Sequence, residues 1–311
     1  MTVASGIEVT GLTRRFGAKV AVEDLSFRVE PGAVTGLLGP NGAGKSTTMR
    51  MIVGLDRPTA GTALVDGAEF RRAPHPMSTL GALLDPSAVH AGRTARTHLR
   101  ALAASNGIRR DRVEEVLRLT GMADAAAHRI STYSLGMRQR IGIASALLGD
   151  PRILVLDEPV NGLDPDGVHW VRSLMRSLAD AGRTVLVSSH LMSEMALTAD
   201  RVIVLGRGRL IADGAVADVV ARATRAEVLV RTPRADELIA AIASPDVVVS
   251  TTPDGSLLVS GLDAARIGDL AAGRGIPLHE LTPQHGTLED AFLKLTSDDR
   301  EYSSGDGEVQ A

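Results

Sequence analysis

Nine consecutive residues, Gly39-Pro40-Asn41-Gly42-Ala43-Gly44-Lys45-Ser46-Thr47, constrain this chain more than any other stretch. They fit the pattern G-x-x-x-x-G-K-[ST], with a strand-like apolar run before them (residues 34–38) and a helix-like run after them (residues 47–53). A loop that wraps phosphates must turn its backbone N–H groups inward, and Gly39, Gly42 and Gly44 permit that because no Cβ obstructs the turn or the ligand. The helix behind the loop aims the positive end of its dipole at an anion. Lys45 can reach the β- and γ-phosphates of a nucleoside triphosphate, and the Ser46 hydroxyl can ligand Mg²⁺. Only three lysines, Lys19, Lys45 and Lys294, occur in the chain, so a lysine at this position is poorly explained as a chance surface residue. A glycine-rich turn without a ligand is the alternative, and the strand–loop–helix context argues against it.

The chain has 311 residues, enough for one large core and one smaller one. A net charge of −3 implies no general attraction to nucleic acid. The absence of cysteine excludes disulfides, thiolate zinc sites and cysteine nucleophiles, and suits a reducing compartment. No apolar run is long enough to span a bilayer, and the N-terminus lacks the layout of a signal peptide. Direct membrane insertion is therefore not expected.

Through about residue 220, strand-like runs (7–12, 26–29, 34–38, 62–65, 153–156, 184–188, 201–205) alternate with helix-like runs (46–53, 93–104, 112–119, 137–148, 166–181, 191–197). The unbroken apolar run 153–156 suits a strand buried on both faces. The pattern predicts an α/β fold with a central, mostly parallel sheet. It restarts after residue 223, with strands expected at 227–230, 247–251 and 257–259 and helices at 235–242, 264–272 and 288–295. The expected organisation is a domain over 1–223 with a helical subdomain at about 86–150, a small α/β accessory domain over 224–296, and a disordered polar tail over 297–311.

Three further segments carry chemistry. Arg152-Ile153-Leu154-Val155-Leu156-Asp157-Glu158-Pro159 is an apolar strand ending in two carboxylates, where Asp157 can hold Mg²⁺ and Glu158 can serve as general base for water. Tyr133-Ser134-Leu135-Gly136-Met137-Arg138-Gln139-Arg140 opens a helix-like run, so Ser134 and Gly136 can bind phosphate at a helix N-terminus. Read alone, that octapeptide is better explained as an N-cap before a basic surface helix. His190 closes the segment VSSH just past a strand. The other histidines, His75, His90, His98, His128, His169, His279 and His285, lack metal-ligand spacing and are expected to be solvated.

The order GPNGAGKST, YSLGMRQR, ILVLDEP, NGLD and VSSH resembles the nucleotide-binding subunit of an ATP-binding cassette (ABC) transporter over residues 6–220. The resemblance implies a P-loop NTPase fold that binds ATP and Mg²⁺. It implies that Phe16 stacks on adenine, that Gly39 to Thr47 are the Walker A loop, and that Asp157 and Glu158 are the Walker B aspartate and catalytic glutamate. It further implies that residues 161–164 link two active sites, that His190 is the switch histidine at the γ-phosphate, and that YSLGMRQR is the signature. Each signature then closes over ATP held by another copy, so a homodimer sandwiches two ATP molecules. The chain departs from the family at Leu135, where glycine is usual, at Met137, where glutamine is usual, and at Asp85, where a glutamine usually contacts Mg²⁺ or water. These departures and the ending GTLEDAFLKLT are similar to the drug- and antibiotic-efflux branch. That branch implies export through a separately encoded integral-membrane permease, with this subunit held at the cytoplasmic face of the membrane by its partner. A soluble ABC ATPase acting on ribosomes or DNA, or a nucleotide-binding module without turnover, are the alternatives. One cassette without sustained heptads argues against the first, and Asp157, Glu158 and His190 argue against the second.

Overall fold

Five parallel strands and one antiparallel strand form the central sheet of a computed structural model that describes residues 6–223, 227–284 and 286–301, the last six by backbone alone. The chain divides at Val216/Ala217 into two units. In chain order the strands of the first are β1 (Ile7–Phe16), β2 (Lys19–Val29), β3 (Val34–Leu38), β4 (Ala60–Val65), β5 (Leu80–Leu83), β6 (Ile153–Leu156), β7 (Thr184–Ser189), β8 (Arg201–Gly206) and β9 (Arg209–Ala215). Its helices are α1 (Lys45–Ile52), α2 (Pro76–Thr79), α3 (Ala95–Ser105), α4 (Asp111–Leu119), α5 (Leu135–Leu147), α6 (Pro165–Asp180) and α7 (Met192–Ala196). Helix α8 (Val216–Ala223) follows at the division.

The central sheet runs β5-β6-β7-β3-β8-β9, parallel except for the hairpin strand β9. Strands β3, β6 and β7 are buried at every residue, which explains why none of them alternates polar with apolar; β6 is apolar throughout, and the polar residues of β3 and β7 (Thr35, Thr184, Ser188 and Ser189) are buried as well. Because they are parallel, the loops that leave β3, β6 and β7 emerge at one edge of the sheet. Leu38 is level with Ser189, and Leu156 with Val187. A second, antiparallel sheet, β2-β1-β4, encloses with the central sheet a core built on Leu12, Leu25, Leu37, Met49, Ile52 and Ile203.

Residues 80–83, absent from the predicted strand runs, form the strand β5, an edge strand bonded to β6 alone. Four residues with a glycine among them give little periodic signal. That glycine is required: a Cβ on Gly81 would stand 2.0 Å from the Ala146 carbonyl of α5. Strands β1 and β2 also extend beyond their predicted runs, and β9 has no sequence-based counterpart.

The second unit carries β10 (Glu227–Arg231), α9 (Ala235–Ile242), β11 (Val248–Thr251), β12 (Leu257–Ser260), α10 (Ala264–Gly273), β13 (Glu280–Gln284) and α11 (Leu288–Glu301). Its sheet is antiparallel throughout, in the order β11-β12-β10-β13. This β-α-β-β-α-β arrangement is the split-βαβ, ferredoxin-like one. Val228, Val230, Leu238, Ile242, Leu257, Val259 and Ile267 form its core. Strand β13 was not predicted; it contains Pro283, which an edge strand tolerates. Helix α11 continues to Glu301, into the stretch expected to be an unstructured tail, and residues 302–311 lie outside those described.

Candidate nucleotide-binding site

The loop after β3 is held tightly before it reaches α1. Ala43 N–H donates to the Pro40 carbonyl (3.1 Å), and Gly208 N–H donates to the Ala43 carbonyl (3.1 Å). Gly44 has φ +100°, and a Cβ there would stand 2.7 Å from the Ala21 carbonyl, so no other residue fits without displacing backbone. Helix α1 starts directly at Lys45 with no side chain capping it. Its first N–H groups therefore remain available for an anion. Lys45 is buried; its Nζ donates to the carbonyl of Gly39 (2.7 Å) and more weakly to that of Pro40 (3.4 Å), and lies 3.9 Å from Glu158 Oε1. Burial pulls the Lys45 pKa below the usual lysine value, against the opposing pull of Glu158 and then Asp157.

The end of β6 delivers both carboxylates to the same place. Asp157 is buried; its N–H donates to the Leu83 carbonyl (2.7 Å), and its Oδ1 accepts a short hydrogen bond from the Ser188 hydroxyl. Glu158 takes φ +49°, a left-handed conformation uncommon outside glycine. Its N–H donates to Ser188 Oγ (2.9 Å), and its Oε2 lies 2.8 Å from His190 Nδ1. The carboxylate thus bridges Lys45 and His190, groups contributed by loops that follow β3 and β7.

Phe16, Lys19, Val20 and Ala21 join residues 40–47 and Glu158 around a cleft of about 360 Å³. Phe16 is 48% exposed, with the Arg14 guanidinium 4.4 Å from its ring centroid. An aromatic ring, an N–H-bearing loop and a buried cation suit the base and the phosphates of a nucleoside triphosphate, while Glu158 at the edge of the cleft and Asp157 beside it suit a water or a cation at those phosphates. The exposed Ser46 hydroxyl and the Asp157 carboxylate are hard oxygen donors of the kind Mg²⁺ takes. Among the described residues no group of three or more His, Asp or Glu side chains could hold a metal, so Mg²⁺ here would need phosphate oxygens as well.

Other expected site residues lie outside this cleft. Ser134 caps α5 by accepting from Met137 N–H (3.2 Å), and both Ser134 and Leu135 are exposed. Gly136 packs on residues 162–163: a Cβ on it would be 3.0 Å from the Gly162 carbonyl. Asp85 is exposed and spends its Oδ1 on Ser87 N–H (2.7 Å); the bonds from Ser87 hold its carboxyl below the usual carboxylate range. Among the histidines expected to be solvated, His98 is buried on the inner face of α3, where its Nδ1 has no partner. Helical spacing with Leu99 and Ala103, not its residue type, decides that position. His285 lies outside the described residues.

Sequence reading passed over three residues that organise the site: Ser188, which ties Asp157 to Glu158; Gln139, whose Nε2 donates to the Glu158 carbonyl (3.2 Å); and Arg14 behind Phe16. The available signal was a serine pair ending the apolar run of a buried strand and a glutamine on the buried side of α5.

A family model described as ABC transporter matches residues 22–161, and a model of a domain of unknown function matches residues 226–289. The uncharacterized ABC transporter ATP-binding protein YhcH of Bacillus subtilis is 33% identical over 301 residues, covering 95% of this chain and 97% of its own. The bacitracin transport ATP-binding protein BcrA of Enterococcus faecalis is 32% identical over 295 residues (93% and 96%). The daunorubicin resistance ATP-binding protein DrrA3 of Streptomyces coeruleorubidus is 34% identical over 307 residues (95% and 97%). Among solved structures, an ATP-binding subunit of an ABC transporter superposes with a TM-score of 0.62 at 28% identity, over 70% of this chain and 93% of that one. The dimeric MJ0796 cassette in a post-hydrolysis state with ADP and Pi shares the fold at TM-score 0.61 and 23% identity, over 67% and 98%.

Proposed function

The chain belongs to the family of ABC transporter ATP-binding subunits, and from that premise we propose that it hydrolyses ATP to drive export of a drug- or antibiotic-like compound through a separate membrane-spanning partner. The names of the bacitracin and daunorubicin relatives support the cargo class. Among the described residues no helix is long and apolar enough to cross a membrane, in keeping with a partner that supplies the pathway and holds this subunit at the cytoplasmic face.

One observation carries the reading: Glu158 sits between Lys45 and His190 at the rim of the loop 39–47, while Ser134 and Gly136 stand outside the cleft. Residues 39–47 wrap the phosphates with N–H groups, and Lys45 neutralises the β- and γ-oxygens. The Phe16 ring stacks on the base. Glu158 orients a water and takes its proton as the oxygen attacks the γ-phosphorus and the bond to ADP breaks. His190 steadies the carboxylate through Nδ1 and stands near the terminal phosphate. Ser46 and Asp157 would hold Mg²⁺, which when bound supplies charge neutralisation between the phosphates. Asp85 would meet the ion or its water with a carboxylate that already accepts from Ser87 N–H through Oδ1. Ser134 and Gly136 close over ATP held by a second copy, so turnover requires a homodimer and ATP acts as the glue of its closed form.

The test is Glu158→Gln. In ATP and Mg²⁺ this variant is expected to elute as a dimer by size exclusion with phosphate release below about 1% of wild type, consistent with loss of a general base. Lys45→Ala is expected to stay monomeric and inactive. Wild-type phosphate release from Glu158→Gln would remove Glu158 from the role of base.

A further inference from the structure

Glu158 holds a left-handed backbone (φ +49°) although it bears a full side chain. Such a conformation persists only where the surroundings over-determine it. Three bonds do so: its N–H donates to Ser188 Oγ (2.9 Å), and its carbonyl accepts from Asn161 N–H (3.2 Å) and from Gln139 Nε2 (3.2 Å). Ser188 belongs to β7 and Asn161 to the turn that Glu158 itself begins. Only Gln139 reaches it from α5, the helix that begins with Ser134 and Gly136.

Gln139 is 1% exposed, and its Oε1 has no hydrogen-bond partner. A carboxamide buried with one oxygen unpaired is a poor packing residue; methionine or leucine fills such a space without an orphan acceptor. What glutamine adds here is the donor to Glu158. Its orientation follows from chemistry, since a carbonyl oxygen needs a donor opposite it. Helix α5 also meets the same segment one turn earlier. A Cβ on Gly136 would stand 3.0 Å from the Gly162 carbonyl, and one on Gly162 would stand 2.3 Å from Leu135 Cδ2. The Arg140 guanidinium stacks 4.5 Å from the Trp170 ring of α6, so the helix is fastened on the far side of the segment too. Residues 158–162 therefore cannot keep their place if the N-terminal end of α5 moves.

We propose that Gln139 is a positioning residue: it transmits the position of the signature helix to the backbone of Glu158 in the same chain. Resting on the function proposed above, the consequence is coupling between sites. When Ser134 and Gly136 close over ATP on a second copy, α5 shifts, and Gln139 sets the Glu158 carboxylate for the ATP bound by its own chain. Each nucleotide then prepares the base that acts on the other.

The experiment uses the full chain with Gln139→Leu and, as a second variant that keeps the length of the side chain, Gln139→Met. Hydrogen exchange is first measured without nucleotide. Faster exchange at the amides of 158–162, with the loop 39–47 unchanged, is the expected result; unchanged exchange at 158–162 in both variants overturns the mechanical link. In ATP and Mg²⁺, affinity for a fluorescent ATP analogue is expected to stay within about twofold, because Gln139 does not line the cleft, while kcat falls about 10- to 100-fold from a misplaced base. The Hill coefficient for ATP is expected to fall from near 2 toward about 1. A kcat and Hill coefficient equal to wild type overturn the proposal. So does a kcat loss that merely follows a drop in melting temperature and ATP affinity, which marks a packing role. Failure of the underlying function looks different: wild type without phosphate release, or Lys45→Ala retaining it, while the exchange measurement still tests the link.

Discussion

Ser188→Ala is the most informative single change, because one fully buried hydroxyl serves two catalytic-loop residues at once. Ser188 Oγ donates to Asp157 Oδ1 and accepts from Glu158 N–H (2.9 Å). Removing it strands a backbone donor, at about 1–3 kcal/mol, and deletes a bond to a carboxylate, typically worth about 1.5–3 kcal/mol. Because Glu158 keeps some solvent contact, the net loss is expected to be about 2–4 kcal/mol. For a unit of this size that lowers the melting temperature by about 5–15 °C. Ser189→Ala is the matched control, since the Ser189 hydroxyl accepts only from Leu191 N–H (2.9 Å) and reaches its carbonyl only weakly (3.5 Å); it is expected to cost about 0.5–1.5 kcal/mol. Differential scanning calorimetry of both variants measures the difference. Steady-state phosphate release should fall about 10- to 100-fold in Ser188→Ala as Glu158 loses its fixed orientation. If Ser188→Ala melts with Ser189→Ala and hydrolyses ATP at the wild-type rate, the hydroxyl does not hold the two carboxylate residues in place.

Other outcomes test separate parts of the structure. Burial, then Arg93 and His90, lower the pKa of His98, so the unfolded chain takes up the proton first as pH falls. Stability should be level above about 6.5 and decline as pH drops through the folded pKa. Urea midpoints at pH 7.5 and pH 5 measure this decline, and His98→Leu should shrink it. Gly44→Ala places a Cβ 2.7 Å from the Ala21 carbonyl on a backbone at φ +100°, and is expected to cost about 1–3 kcal/mol together with ATP affinity, read by melting and nucleotide titration. Arg14→Ala removes the cation from behind the exposed Phe16 ring and should weaken ATP binding about two- to fivefold, measured by equilibrium titration.

Much of the site was legible because its chemistry is local. A phosphate loop needs glycine, lysine and a hydroxyl within nine residues, and a strand-end carboxylate pair needs only an apolar run before it. The same locality made β3 and β6 readable, since a strand buried on both faces reads as a mostly apolar run without alternation. Strand β5 escaped notice because a four-residue edge strand containing Gly81 carries no usable period. Ser188 and Gln139 escaped because their partners lie far along the chain: Ser188 is 31 residues from Asp157, and Gln139 is 19 from Glu158. Arg14 is only two residues from Phe16, but the two side chains share a face only once β1 runs on through residue 16, past the predicted strand. His98 was misjudged because a lone polar residue takes its environment from the helix face it occupies.

By itself, then, the order of residues determined which groups this protein possesses for handling a nucleotide and in which short segments they lie. Local rules of backbone freedom, hydrogen bonding and strand burial are enough for that. Tertiary structure decided which of them meet. The sheet order β6-β7-β3 sets three loops side by side, so that Glu158 falls between Lys45 and His190, and the same packing holds Ser134 and Gly136 outside that cleft. No local rule could supply this, because strand order depends on which buried faces fit one another across the whole unit.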